Sequence, residues 1–311
     1  MNILVTGATG FIGSHLTESL IKEKHRVFAL VRQTSKVDFL LKNSVELIYG
    51  DITDTKSLTR IADYSIDAVF HCAACVTDND WKRIFRTNVL GTENICKLCT
   101  SLKVRRLVYL SSVAVVSGNP CVPLTEDSPY LATNLYGASK IDAEKRVIEF
   151  RESGLPVAIV RPPVVYGEGE PHAFNQVLFL LKHGLLPLFE GGVVRWHLAY
   201  VKNVVDALLL ALERQEFLRD TFFVADEEVL TVKEIFSTLS QAINAPNPQN
   251  LPSWLTALLS RAPYIGEKIR FLRKDRVYDI NRIKSLGFNP RFHTQESLIK
   301  SARHWLEEKA K

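Results

Sequence analysis

The run TGATGFIG, Thr6 to Gly13, follows the apolar stretch NILV and opens a helical pattern in which Ile12, Leu16 and Leu20 recur. A strand that ends in a glycine-rich turn and continues as a helix leaves few folds open. The first glycine, Gly7, allows the tight turn. The second, Gly10, lets backbone approach a phosphate, and the third, Gly13, lets the helix pack on the strand. The helix N-terminus then offers free N–H groups and partial positive charge to an anion. The spacing is GxxGxxG, one residue longer than the commonest dinucleotide turn. It predicts nucleotide binding through the backbone around Gly7, Thr9, Gly10, Phe11, Ile12 and Gly13. A GxxxxGK loop followed by Ser or Thr is found nowhere in the chain, which argues against a nucleoside triphosphatase.

Beyond the turn the chain repeats its logic. Short apolar runs, RVFALV, VELIYG, DAVFHC, RRLVYLSS and PVAIVRP, alternate with helix candidates near 11–24, 54–63, 80–102 and 134–153. Such alternation predicts repeated βαβ units, hence an α/β fold with a doubly wound parallel sheet. The last third changes character, with Pro-containing turns, a strand candidate at TFFVAD, and short helices near 203–213, 231–243, 253–261, 279–286 and 294–309. The expected division is a Rossmann-type nucleotide domain over residues 1–170, to which segments near 195–215 return, and a smaller, mostly helical substrate lobe over 171–311.

Composition narrows the class of function. The 39 basic and 34 acidic residues are spread along all 311 positions, for a formal charge of +5. That mild excess suits an anionic cofactor or substrate but supplies no dense basic patch for nucleic acid. Apolar runs such as NVVDALLLALE meet charge well before the ~18 residues a membrane span needs, and the N-terminus lacks a signal-peptide pattern. A soluble, cytoplasmic protein is expected. Cys72 with Cys75, and Cys96 with Cys99, are paired closely enough to suggest a metal. One pair ends a strand and the other lies on a long helix, so buried free thiols are expected and no metal site.

Two further places carry chemistry. At the end of the second strand an acidic residue would hold a ribose 2′-hydroxyl, whereas Arg32, followed by Thr34, Ser35 and Lys36, favours a 2′-phosphate and so NADP(H), with NAD as the alternative. Asp51, after the third strand, is placed to meet the adenine edge. In NLYGASKIDAEKRVIEF, Tyr136 and Lys140 lie four apart at a helix start and share one face. An ammonium beside a phenol is expected to lower its pKa and make it a usable proton donor or acceptor.

Taken with HCAA at 71–74, NVLGT at 88–92, LSS at 110–112, YGASK at 136–140 and RPPVVYG at 161–167, these motifs resemble the extended short-chain dehydrogenase/reductase superfamily, in order and over nearly the whole chain. The resemblance implies that Tyr136 is the catalytic acid or base and that Lys140 binds the nicotinamide ribose. It implies that Ser112, with Ser111 as the fallback, hydrogen-bonds the reacting oxygen, and that Asn88 helps hold a proton-relay water. It extends the cofactor contacts to Ile52, Ala73, Ala74, Pro163 and Val165, and the substrate contacts to Ser112, Tyr166 and Arg195. It also implies a homodimer through the helices at 80–102 and 134–153.

The closest likeness is to the 3β-hydroxysteroid dehydrogenase-like branch and to sugar epimerases, in which YVxN before a helix recurs, as it does at Tyr200 to Asn203. Asn203 stands where the sugar enzymes have Asp, and Val113 and Ala114 stand where dehydratases carry an Asp–Glu pair. The expected reaction is hydride transfer at a secondary alcohol or ketone of a small or apolar substrate. The alternatives are an NAD-dependent nucleotide-sugar epimerase and a non-catalytic NADP-sensing protein. His197 reads as a structural histidine. Phe174, Leu178, Phe179 and Trp254 are candidates for an apolar pocket floor.

Overall fold

The computed structural model describes residues 1–171 and 173–310. The first half supplies strands β1 (Asn2–Thr6), β2 (Arg26–Val31), β3 (Glu46–Tyr49), β4 (Ala68–His71), β5 (Arg106–Leu110) and β6 (Val157–Arg161). Later come β7 (Val165–Tyr166), β8 (Arg195–His197), β9 (Ala199–Tyr200), β10 (Thr221–Phe223) and β11 (Val229–Thr231). Between the early strands run helices α1 (Phe11–Lys22), α2 (Asp38–Lys42), α3 (Thr55–Leu58), α4 (Trp81–Phe85), α5 (Gly91–Leu102) and α6 (Leu135–Glu152). The later chain holds α7 (Ala173–Lys182), α8 (Val201–Glu213), α9 (Val232–Ala242), α10 (Ser253–Leu259), α11 (Pro263–Leu272), α12 (Asn281–Ser285) and α13 (Thr294–Ala310).

The sheet order is β10-β6-β5-β4-β1-β2-β3, with every neighbouring pair parallel. Strand order reverses between β1 and β4, and a doubly wound sheet opens its ligand crevice at the carboxyl ends beside that reversal. The sequence explains why both faces are covered. Along β1, Ile3 and Val5 enter one core with Leu16 and Leu20 of α1 and Leu208 of α8. Leu4 enters the other with Ile95 of α5 and Val147 of α6. Strands apolar on both faces are what a parallel sheet between helix layers requires.

The expected helix at 80–102 is present but not uniform. A π-helical turn, Arg86–Leu90, interrupts it between α4 and α5. The strand read at TFFVAD belongs to the nucleotide-binding sheet, where β10 pairs with β6 as its edge. A third core, including Leu178, Trp196, Phe236, Leu239, Leu298 and Trp305, holds the later helices together. No helix among the described residues is long and apolar enough to cross a membrane.

Candidate functional site

The glycine turn is held to glycine by contact. Gly7 sits at φ +74°, and a Cβ there would fall 2.7 Å from the Ala73 backbone nitrogen. A Cβ on Gly13 would fall 2.1 Å from the Gly7 carbonyl oxygen, so α1 and the turn approach as only glycine permits. Gly10 caps α1 without a side-chain hydrogen bond. The first-turn N–H groups of a twelve-residue helix are therefore available to a phosphate. In front lies a cavity of about 610 Å³ whose walls include Gly7, Thr9, Gly10, Arg32, Asp51, Ile52, Ala73 and Ala74. A dinucleotide with its phosphates at Gly10 fits this cradle.

Phe11, Ile12 and Gly13 support that wall from α1 rather than lining it; Ile12 packs on the core. Pro163 is partly buried after β6, and Val165 pairs with Ala199 in a two-stranded element beside the sheet. The Asp51 carboxylate accepts from the Thr53 backbone N–H at 2.8 Å and hydroxyl at 2.9 Å, which fixes the turn after β3.

Tyr136 and Lys140 lie in the first turns of α6. Asn134 caps this helix by accepting from the Gly137 N–H at 2.8 Å. A Cβ on Gly137 would lie 2.7 Å from the Ala114 carbonyl oxygen, so α6 presses against the turn that follows Ser112. Ser112 accepts from the Ala114 N–H at 3.2 Å, and its hydroxyl is near enough to the Tyr136 phenol to favour the charged form. Ser111 is buried with its hydroxyl unpaired.

The expectation that Lys140 lowers the Tyr136 pKa is not met. Burial pushes the phenol up to about 12, with Ser112 pulling the other way. The ammonium instead faces β5. It donates to the Leu110 carbonyl at 2.8 Å and to the Tyr109 hydroxyl at 3.2 Å, and burial brings it down to about 8. Desolvation dominates both groups, Lys140 being buried and Tyr136 partly buried.

Asn88 is 1% exposed and is presented by the π-helical turn, where such turns often carry functional side chains. Its amide donates to the Cys75 carbonyl and to the Ser139 hydroxyl, both at 2.9 Å, and accepts from the Cys75 N–H at 2.7 Å. Ser139 in turn donates to the Tyr136 carbonyl at 2.7 Å. Both amide hydrogens of Asn88 are thus spent on protein groups. Its side chain ties the cofactor-cavity loop at Cys75 to the helix of Tyr136.

Beneath them runs a buried chain missed from sequence. His71 Nδ1 lies 2.7 Å from the Thr6 hydroxyl and its Nε2 lies 3.0 Å from the Thr92 hydroxyl. The Thr92 hydrogen is already given to the Asn88 carbonyl at 2.6 Å. Thr92 can then only accept from His71, which places the ring proton on Nε2 and leaves Nδ1 to accept from Thr6. Burial, with Lys140 nearby, pushes His71 down to about 3, so the ring is neutral. The motifs HCAA at 71–74 and NVLGT at 88–92 contain His71 and Thr92, but nothing in the sequence joined the two.

The other candidate residues lie apart. Tyr166 is 1% exposed and donates its hydroxyl to Asp226 at 2.9 Å and to the Thr294 carbonyl at 3.1 Å, inside the wall between the sheet and α13. Arg195 is exposed and paired with Asp275 at 3.1 Å. His197 is buried between the carbonyls of Tyr278 and Asp226, as a structural histidine would be. Leu178 belongs to the third core, whereas Phe179 and Trp254 are exposed at 52% and 68%, so these do not form one pocket floor. Cys96 and Cys99 are buried thiols pushed up by burial. Among the described residues no group of three or more His, Cys, Asp or Glu is placed to hold a metal.

The chain matches the model of the NAD dependent epimerase/dehydratase family over residues 3–224. It is 28% identical to a UDP-glucose 4-epimerase of Vibrio cholerae, covering 98% of this chain and 96% of that protein. It is 30% identical to a 2-alkyl-3-oxoalkanoate reductase of Stenotrophomonas maltophilia, covering 83% and 80%. A crystal structure of UDP-glucose 4-epimerase with UDP-glucose from Thermotoga maritima superposes with a TM-score of 0.83 at 24% identity, covering the whole of both chains.

Proposed function

The chain belongs to the NAD dependent epimerase/dehydratase family, and from that membership we propose an NADP(H)-dependent oxidoreductase acting at a secondary alcohol or ketone. The observation that carries the reading is Arg32. It directly follows β2, where an NAD enzyme would place a carboxylate, it borders the cofactor cavity, and among the described residues no acidic side chain is paired with it. An enzyme that closes its redox cycle on one substrate has reason to keep its nucleotide. One that draws reducing equivalents from NADPH exchanges it at every turnover.

The residues divide the work. Backbone around Gly7 and Gly10 holds the pyrophosphate, Asp51 and Ile52 meet the adenine, Ala73 and Ala74 form the floor, and Lys140 meets the nicotinamide ribose. When bound, the nicotinamide supplies or takes the hydride. The Tyr136 phenol, protonated at neutral pH because burial raises it, delivers a proton to the substrate oxygen during reduction. The Ser112 hydroxyl donates to the same oxygen and polarises it. Asn88 holds the two sides of the crevice in register through Cys75 and Ser139. The lobe built around the third core supplies the substrate-facing wall. A homodimer and a cytoplasmic location complete the proposal.

The likeness to the Stenotrophomonas reductase supports carbonyl reduction. The likeness to the Vibrio epimerase favours the second reading, NAD-dependent epimerisation of a nucleotide sugar. Identifying the nucleotide that co-purifies separates them: tightly retained NAD supports the epimerase and sinks the NADP(H) assignment. Replacing Tyr136→Phe should lower turnover by about 10²- to 10⁴-fold while leaving NADPH affinity within about twofold. Undiminished turnover on a validated substrate would remove Tyr136 from the acid role.

A further inference from the structure

Beside the cofactor cavity lies a second one, of about 720 Å³, and the two share Arg32, Gly50 and Asp51 as a common border. Its far side carries Lys56, on α3, and Arg60, in the 3-10 turn directly after it. These two cations are four positions apart, so their side chains leave neighbouring points of one surface. Among the described residues no carboxylate is paired with Arg32, Lys56 or Arg60, although the chain forms many other ion pairs.

The two acids within reach are occupied with backbone. Asp51 accepts from Thr53, and Asp54 accepts from the Lys56 N–H at 3.1 Å as the cap of α3. Gly50 explains how the far side comes so close. A Cβ there would lie 3.0 Å from the Leu30 side chain and 3.1 Å from the Ser57 hydroxyl, so a glycine eases the close packing of α3 against the end of β2. Among the described residues these three cations are without a carboxylate partner and line one space, beside the place where an adenosine whose adenine meets Asp51 would carry its ribose 2′ substituent.

We infer that Lys56 and Arg60 form, with Arg32, a three-cation clamp for the 2′-phosphate of NADP(H), so that cofactor choice is set from the β3–α3 side as well as from the end of β2. The inference rests on the NADP(H) reading above and assigns to it two residues that the motif at Arg32 does not include. A dianionic phosphate has enough oxygens to accept from all three side chains. A ribose hydroxyl uses one. Arg32 alone would leave the phosphate open on the α3 flank, where Lys56 and Arg60 stand.

The test is calorimetric titration with adenosine 2′,5′-bisphosphate, 5′-AMP and inorganic phosphate, on the whole protein and on the Lys56→Ala/Arg60→Ala double variant. The unaltered protein should bind the bisphosphate about 10- to 100-fold more tightly than 5′-AMP. The double variant should lose about tenfold of that preference while its 5′-AMP affinity stays unchanged, which also shows that it is folded. Preference retained in full by the double variant, but lost in Arg32→Ala, overturns the clamp and leaves the NADP(H) reading standing. No preference in the unaltered protein overturns both. Inorganic phosphate binding as tightly as the bisphosphate would also overturn the clamp, marking a general anion site.

Discussion

The Lys140 ammonium is turned toward Tyr109: it donates to the hydroxyl at 3.2 Å and lies 4.7 Å from the centre of the ring. A second bond, to the Leu110 carbonyl at 2.8 Å, fixes it against β5. The lysine of the proposed proton-transfer site is thus seated on the strand that leads to Ser112. Burial lowers its pKa, with the Glu144 charge pulling the other way, and the phenol four residues before it has no part in the shift.

The first prediction concerns pH. Burial holds Lys140 down to about 8 and Tyr136 up to about 12. In carbonyl reduction the phenol is in its working, protonated form throughout the neutral range. The ammonium proposed to meet the nicotinamide ribose is lost as pH rises through about 8. Reduction measured as kcat/KM should be flat below that point and decline above it. A rate that climbs between about pH 6 and 8 would show that a different group supplies the proton.

The second prediction isolates the Tyr109 hydroxyl. Tyr109→Phe keeps the ring beneath the ammonium but removes an acceptor that favours its charged form. Lys140 should then lose its proton more easily, and the alkaline decline should move below pH 8. The loss of rate at lower pH should be about three- to tenfold, the scale of one hydrogen bond. An unmoved midpoint would mean that burial and the Glu144 charge set the lysine without help from the Tyr109 hydroxyl.

The third prediction concerns what anchors α6. Glu144, two turns after Tyr136, is fully buried and meets Arg161 of β6 at 2.9 Å and 2.5 Å. Tyr130 donates to the same carboxylate at 2.7 Å, and Arg161 donates to the Glu126 carbonyl at 3.0 Å. Glu144→Gln leaves the guanidinium buried without its counter-charge and should cost on the order of 3–5 kcal/mol in urea unfolding. The double variant Glu144→Leu/Arg161→Met should be more stable than Glu144→Gln, because no charge is then stranded. If Glu144→Gln loses less than about 1 kcal/mol, the pair is not what holds the helix.

These residues also show what a sequence can and cannot declare. The glycine turn was legible because Gly7, Gly10 and Gly13 are neighbours in the chain and their conformational demands are local. Tyr136 and Lys140 were legible for the same reason, since helical spacing alone puts them on one face. The partner of Lys140 was not, because Tyr109 reaches it across 31 positions, and a buried tyrosine in a strand reads as core. TFFVAD was read as a strand, but its place at the edge of the main sheet depends on pairing with β6, some 60 residues earlier. Arg195 looked available until Asp275, 80 positions later, was found beside it. Lys56 and Arg60 fall in the helix candidate at 54–63 and carry no signal of their own there; the shared cavity lining sets them across from Arg32.

The fourth prediction concerns Asp226, which is fully buried where the sheet meets the later lobe. Its carboxylate accepts from the Tyr200 N–H at 2.8 Å, the Asn203 amide at 2.8 Å and the Tyr166 hydroxyl at 2.9 Å. All three donors are neutral. Burial therefore raises the acid from the ordinary 3.8 to about 6, even though each of these bonds pulls it down. With the folded pKa above the unfolded one, the stability this group contributes is full below about 3.8 and is lost as pH rises through about 6. Asp226→Asn keeps the acceptor oxygen for Tyr200 and Asn203 and never acquires the charge. The variant should therefore gain on the unaltered protein as pH rises from about 4 to 7, by at most about 3 kcal/mol. Other carboxylates titrate in the same range, so the quantity to follow is the difference between the two unfolding free energies at each pH. A difference that stays constant across that range would show that Asp226 is ionised in the folded protein without penalty, with its three donors outweighing its burial.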